Sequence, residues 1–248
     1  MKVHYCNQRS AEWFALRHGC VTASRAADVM AFKSTGDKGE RAERINYRAE
    51  LVMELLTGVQ AEHYKSDDMQ RGIDFEDEAR TAYEKATGEM VELAGFIEHE
   101  TIAKYGSSPD GILSGNRGIQ IKVPRITTYI KWVRAGVVPD EHLWQMYAEM
   151  DCCEWISNDF IAYCPEMPKN ARLFVRRLLR DENKIEALRE GVVKFHAHLE
   201  AEIVAIEKEF GPLKRPKPIA PKEDYGELGI TDEDFAALID QRSVKESV

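Results

Sequence analysis

Ser107-Ser108-Pro109-Asp110-Gly111, followed nine residues later by Gln120-Ile121-Lys122, is the stretch from which the fold is read. On a strand, successive side chains alternate faces, so positions 120 and 122 point one way while Ile121 points into a core. With Asp110 ending the neighbouring strand, its carboxylate converges with residue 120 and Lys122 at one sheet edge. The result is an oxygen-rich hollow beside one ammonium, a geometry suited to phosphodiester hydrolysis. Magnesium, a hard ion, prefers such oxygens. Lys122 would then position the attacking water and stabilise charge in the transition state.

The pattern is short and also arises by chance, so the surroundings decide. Ser10 caps a first helix that ends at Gly19, and Thr22 caps a second over 23–31. Segments 41–56 and 67–87 carry apolar residues at helical spacing and stop at Gly58 and Gly88, which predicts two long core-packed helices. After Gly88 the texture changes to short runs, 90–97, 105–113 and 119–123, broken by Gly, Asn and Pro, which reads as a three-stranded meander. Helices follow over 127–135 and 141–150, then strands over 155–163 and 173–179. A long amphipathic helix over 182–210 has Ile185, Leu188, Val192, Phe195, Leu199 and Ile203 in register. This order predicts an α/β (α+β) fold with a central mixed β-sheet flanked by helices. Residues 1–211 read as one domain. Residues 212–248, Pro- and Lys-rich with a weak helix over 231–241, read as a linker and C-terminal tail that is either unstructured or a partner arm.

The composition excludes several classes. A charged fraction of 31% and the lack of a long apolar run argue against membrane spans and secretion, so the chain is expected in the cytoplasm. Five cysteines without CxxC spacing indicate neither a disulfide framework nor a zinc ribbon. A net charge of −9 is unexpected for a nucleic-acid binder. From 117 to 139, however, Arg117, Lys122, Arg125, Lys131 and Arg134 occur with no Asp or Glu, so one face can be positive on an acidic body, or simply be a solvated basic helix face.

Taken together, Trp13, Leu16-Arg17-His18-Gly19-Cys20-Val21-Thr22-Ala23-Ser24, Phe75-Glu76 with Ala79-Arg80, Ser108 to Gly111, Gln120 to Pro124, and Gln145 with Met150 form a co-linear set over roughly residues 8–151. In that order they resemble the lambda-exonuclease (YqaJ-type viral recombinase) family of the PD-(D/E)xK nucleases. The resemblance implies a restriction-endonuclease-like core. It also implies a site in which Glu76, Asp110, residue 120 and the Ile121 carbonyl hold one or two magnesium ions, with manganese able to substitute, and Glu76, Asp110, Gln120 and Lys122 carry the chemistry. Without the family, Glu76 reads as a solvated acid among Asp74, Asp77 and Glu78. The resemblance further implies that Arg17, Ser24, Ser108 and Gln145 bind a DNA 5′-phosphate, to which an arginine fork and hydroxyls are matched. Arg125, Lys131 and Arg134 are expected to contact DNA. Met69, about two helical turns before Glu76, is either an apolar wedge at the terminal base pair or, more plainly, a core residue.

What the resemblance implies is a 5′-to-3′ exonuclease on linear double-stranded DNA, of phage or prophage origin in a bacterial host. It would release mononucleotides and leave a 3′ overhang for a single-strand annealing protein, and it would work as a ring-shaped homotrimer. One position departs from the family, where glutamate is usual and this chain has Gln120. An amide oxygen still ligates magnesium, but one negative charge is lost and the site is weakened or inactivated. Natural tolerance and a deliberate charge-only exchange both account for it, and the otherwise intact motif favours the second. The rival readings are another nuclease on the same fold, RecB-like or restriction-type, and a non-catalytic DNA-end-binding module.

Overall fold

The computed structural model describes residues 2–33, 39–60 and 66–219. Two four-stranded mixed sheets, rather than one, form its centre. The first contains β1 (Lys2–His4), β2 (Val21–Thr22), β3 (Phe96–Glu98) and β4 (Tyr105–Ser107), in the order β1-β3-β4-β2. The second contains β5 (Gly111–Leu113), β6 (Arg117–Lys122), β7 (Ser157–Tyr163) and β8 (Leu173–Leu179), in sequence order. Strands β6 and β7 run parallel, and their neighbours are antiparallel.

The expected meander is therefore divided between the sheets. Segment 105–113 is two strands, and the break falls at Ser108-Pro109-Asp110. Pro109 has no N–H to give to a ladder, and the chain uses that point to leave the first sheet and enter the second. Of 90–97, only the end belongs to a strand, and Glu92 forms an isolated bridge with Ile112.

Helices α1 (Ala11–Arg17), α3 (Ala42–Thr57), α4 (Asp67–Thr87), α5 (Ile126–Ala135), α6 (Asp140–Cys152) and α7 (Glu182–Phe210) lie close to their expected places. Ser10 caps α1 by accepting the Trp13 N–H, and Gly58 and Gly88 close α3 and α4 in the left-handed conformation. The second expected helix is shorter. Thr22 ends β2 and makes no cap bond, a 3₁₀ turn occupies Ala23–Arg25, and α2 is only Ala26–Val29.

Burial follows the predicted stripe on α7. Ile185, Leu188, Val192, Phe195, Leu199 and Ile203 all join the core shared with the first sheet, α2, α3 and α6. Each such side chain contributes about 1.5–3 kcal/mol relative to exposure. The second sheet is covered on both faces. Ala79 and Tyr83 of α4 pack on Ile119, Ile121, Ile161 and Tyr163, while α5 and α6 cover Phe160 and Ala162 with Tyr129 and Met146. In the β6–β7 register Gln120 lies beside Phe160, so Gln120 and Lys122 face α6. Beyond α7 the described part of the tail is extended and ends in a bridge from Ile219 to Val59. The helix expected over 231–241 lies outside the described residues. Among the described residues, no helix is long and apolar enough to cross a membrane.

Gly118, on the same face as Gln120, lies flat against the Trp155 ring, and an added Cβ would run into that ring. Gly118→Ala is therefore expected to cost about 1–3 kcal/mol by overpacking. The check is a lower urea midpoint at unchanged slope, and an unaltered midpoint would contradict this packing.

Candidate active site

The crossing between the sheets delivers Asp110 to β6. Its Oδ2 accepts the Ile121 N–H at 2.6 Å and also a hydrogen bond from Gln120 Nε2. Burial raises the Asp110 pKa, although Lys122, the Ile121 N–H, Arg80 and Arg9 oppose the rise. Glu76 reaches the same place from α4. Burial, and then the charge of Asp110, push its pKa up to about 7, while Arg80 Nη2 donates to its Oε1 at 2.7 Å. Glu76 therefore feels the Asp110 charge, and Arg80 bears on both carboxyl groups.

On the α6 side, Lys122 Nζ donates to Gln145 Oε1 at 3.2 Å. Gln145 Nε2 donates to Gln120 Oε1 at 2.6 Å and to Glu149 Oε1 at 2.9 Å. Asn158 Nδ2 donates to the other Glu149 oxygen at 2.6 Å. Glu149 is fully buried, and burial followed by the charge of Asp110 pushes its pKa up to about 8. Asp110, Gln120, Gln145, Lys122 and Glu149 thus form one hydrogen-bonded centre, with Glu76 paired to Arg80 and within electrostatic reach of Asp110, and the Ile121 carbonyl accepts from Gln120 Nε2 at 3.3 Å.

A second group stands on the other side of the crossing. Arg17 Nη1 donates to Ser108 Oγ at 3.0 Å, and Trp13 Nε1 donates to the same oxygen at 2.8 Å. The guanidinium lies 4.1 Å from the Trp13 ring centroid. Its Nε is buried and makes no hydrogen bond to the described residues. A buried guanidinium with a spare donor is suited to an anion. Ser24 is exposed, and its Oγ lies 3.2 Å from Thr22 Oγ1. Gln145, expected beside Arg17, is instead bonded within the acidic centre.

Two charges of the basic stretch are paired: Arg125 with Asp68 at 2.6 Å and Arg117 with Glu89 at 2.8 Å. Lys131 and Arg134 are exposed on α5 and make no ion pair among the described residues. Met69 is 52% exposed at the start of α4, so the core-packing reading of it is overturned. The helix begins just before Met69, at the Ser66 cap, and this first turn projects beyond the sheet that α4 covers further on.

Sequence reasoning missed Glu149, Asn158 and Arg80 as parts of the centre. Glu149 carried a signal, since it lies four residues after Gln145 and so on the same face of α6. Asn158 had none, because only the parallel pairing of β6 with β7 brings it alongside. Among the described residues no three His, Cys, Asp or Glu side chains form a metal cluster. The oxygen donors present are nonetheless hard ones: two carboxylates and a backbone carbonyl. A shallow groove lined by Glu182, Glu186, Arg189, Glu190, Val193 and Lys194 belongs to α7 alone and shares no residue with this centre.

Comparison with known proteins adds to this geometry. The model of the YqaJ-like viral recombinase domain matches residues 12–155. The crystal structure of an alkaline exonuclease, LHK-Exo, from Laribacter hongkongensis is 39% identical with a TM-score of 0.74, over 81% of this chain and 98% of that one; its complex with dAMP gives the same values. A phage-related exonuclease from Haemophilus somnus 129PT shares the fold at 14% identity, with a TM-score of 0.62 over 75% of this chain and 96% of its own. No curated protein matches. With more than half its length matched by the family and a 39% identical relative covered almost end to end, the chain belongs to the YqaJ-like viral recombinase family.

Proposed function

We propose that the protein is a magnesium-dependent exonuclease on linear double-stranded DNA. In this reading it starts at a 5′-phosphorylated end, works 5′ to 3′, releases mononucleotides and leaves a 3′ single strand for an annealing protein. The observation that carries it is the meeting of Glu76, Asp110 and Lys122 on one side of the Ser108–Asp110 crossing with Arg17 and Ser108 on the other. Support comes also from a 39% identical alkaline exonuclease that binds dAMP, a mononucleotide. The homotrimeric ring remains part of the proposal, and sedimentation tests it.

Glu76, Asp110 and the Ile121 carbonyl are the groups that would hold one or two magnesium ions, or manganese in their place. When bound, such an ion polarises the phosphate and eases deprotonation of the attacking water. Lys122 holds its ammonium protons beside that position, where they orient the water and stabilise the phosphate charge in the transition state. Arg17, Ser24 and Ser108 grip the terminal 5′-phosphate and set the register of the scissile bond. Exposed Lys131 and Arg134, with Arg125, neutralise the DNA backbone, and Met69 offers an apolar surface to the last base pair.

Glutamine at position 120 favours one second reading, a DNA-end-binding module without turnover. Digestion of a duplex labelled at one 5′ end separates the two. Gln120→Glu is expected to raise the rate at least 10-fold over the unaltered chain, on the scale of losing one group around a metal, roughly 10- to 100-fold. Closed circular DNA should stay intact, whereas its cleavage would point to an endonuclease of the same fold. Arg17→Ala should remove the preference for phosphorylated over hydroxyl ends. A Gln120→Glu protein that binds ends but never cuts would establish the second reading.

The raised carboxyl groups give a pH dependence with a defined sign. Glu76 at about 7 and Glu149 at about 8 lie above the ordinary 4.5, so these two groups bind more protons in the metal-free folded chain than in the unfolded chain across that window, and they oppose His142, whose pKa burial lowers to about 4. The contribution of the two carboxyl groups to stability accordingly falls as pH rises through the window. Magnesium must displace the same protons, so its affinity rises. In EDTA the melting temperature of the unaltered chain, taken relative to that of Glu149→Gln, is expected to fall from pH 5 to pH 8. A difference between the two proteins that climbs towards pH 8 without metal would contradict the site's electrostatics.

A further inference from the structure

The hydrogen bonds around Gln120 have only one consistent direction. The Lys122 ammonium donates and cannot accept, so it alone fixes which end of the Gln145 amide faces it. Lys122 therefore meets the oxygen of Gln145, and Glu149 meets its nitrogen. That nitrogen also donates to Gln120 Oε1, which turns Gln120 Nε2 towards Asp110 and the Ile121 carbonyl. Those two oxygens are the ones assigned above to the cation.

We propose that the Gln120 amide nitrogen is a built-in substitute for the metal ion, locked onto Asp110 by Gln145, which Lys122 holds in a single orientation. The carboxylate is thereby satisfied without metal, and the chain takes up magnesium weakly. The inference rests on the magnesium reading of the site. Presenting the Gln120 oxygen to a cation would turn its N–H₂ against the Gln145 nitrogen, donor against donor. Rotating Gln145 in response would set its nitrogen against Lys122. Either rotation leaves buried polar groups mispaired, which is costly. A glutamate at 120 has no such conflict, because both of its oxygens accept.

The same wiring makes Gln145 a positioning residue whose effect reverses with the residue at 120. Removing its donor frees Gln120 to turn its oxygen outward, but deprives a glutamate at that position of a useful hydrogen bond. The test is calorimetric titration of the full chain with MgCl₂ alone, without DNA, for the unaltered protein, Gln145→Met, Gln120→Glu and the double variant. Methionine matches glutamine in length and leaves the charge unchanged. Gln145→Met is expected to bind magnesium about 5- to 10-fold more tightly than the unaltered chain, the scale of one hydrogen bond. In the Gln120→Glu background the same change should give equal or weaker binding.

Equal or weaker binding by Gln145→Met in the unaltered background would overturn the lock. Absence of magnesium binding by Gln120→Glu would instead remove the metal reading itself. If Gln145→Met does not fold, the side-chain amide protons of Gln120 in the unaltered chain decide the matter. The lock requires slow solvent exchange without metal, and fast exchange refutes it.

Discussion

The hydrogen bond from the Ile121 N–H to Asp110 Oδ2, at 2.6 Å, is the constraint from which the rest of the site follows. It fastens the crossing between the two sheets to the C-terminal end of the strand that carries Gln120 and Lys122. Pro109 stops the first sheet's ladder, and Asp110 takes over a backbone donor of the second, so one dipeptide both separates the sheets and joins them. Because the carboxylate accepts from a buried backbone group, it is held in a single position before any ligand arrives.

Around that point the two faces of the sheet do different work. The Ile119 and Ile121 face is closed by α4, which brings Glu76 with it, and the opposite face is closed by α6, which brings Gln145 and Glu149. Acids thus approach from both sides a carboxylate that is itself poorly solvated. Burial, and then crowding of like charges, raises the proton affinity of Glu76 and Glu149, the pattern expected of a place built for chemistry rather than for folding. Structural ion pairs elsewhere show the contrary pattern. Glu40, bonded by Arg44, Arg48 and His198, has its carboxyl held down to about 2.

Much of this was legible in the sequence. The α4 and α7 periodicities, the glycine stops of α3 and α4, and the Asp110 and Gln120-Ile121-Lys122 spacing each reflect a local rule, 3.6 residues per helical turn or two per strand repeat, that burial in this fold did not override. The three-stranded meander divided between two sheets because segment 105–113 has continuous strand character in the sequence, and only the missing backbone donor at Pro109 marks where one ladder ends. Met69 was misjudged because a helical face in sequence does not reveal how far the neighbouring sheet extends beneath it.

The sequence by itself determined which chemical groups are available, where the helices and strands lie, and that residues 120 and 122 share a face, since these depend on interactions within a few residues. Tertiary structure alone decided that Gln145 belongs with Lys122 rather than with Arg17, that Glu149 and Asn158 join the centre, and which way the Gln120 amide is turned. The physical reason is that amide orientation and charge crowding depend on contacts up to tens of residues apart in the chain, and those contacts exist only once both faces of the sheet are covered.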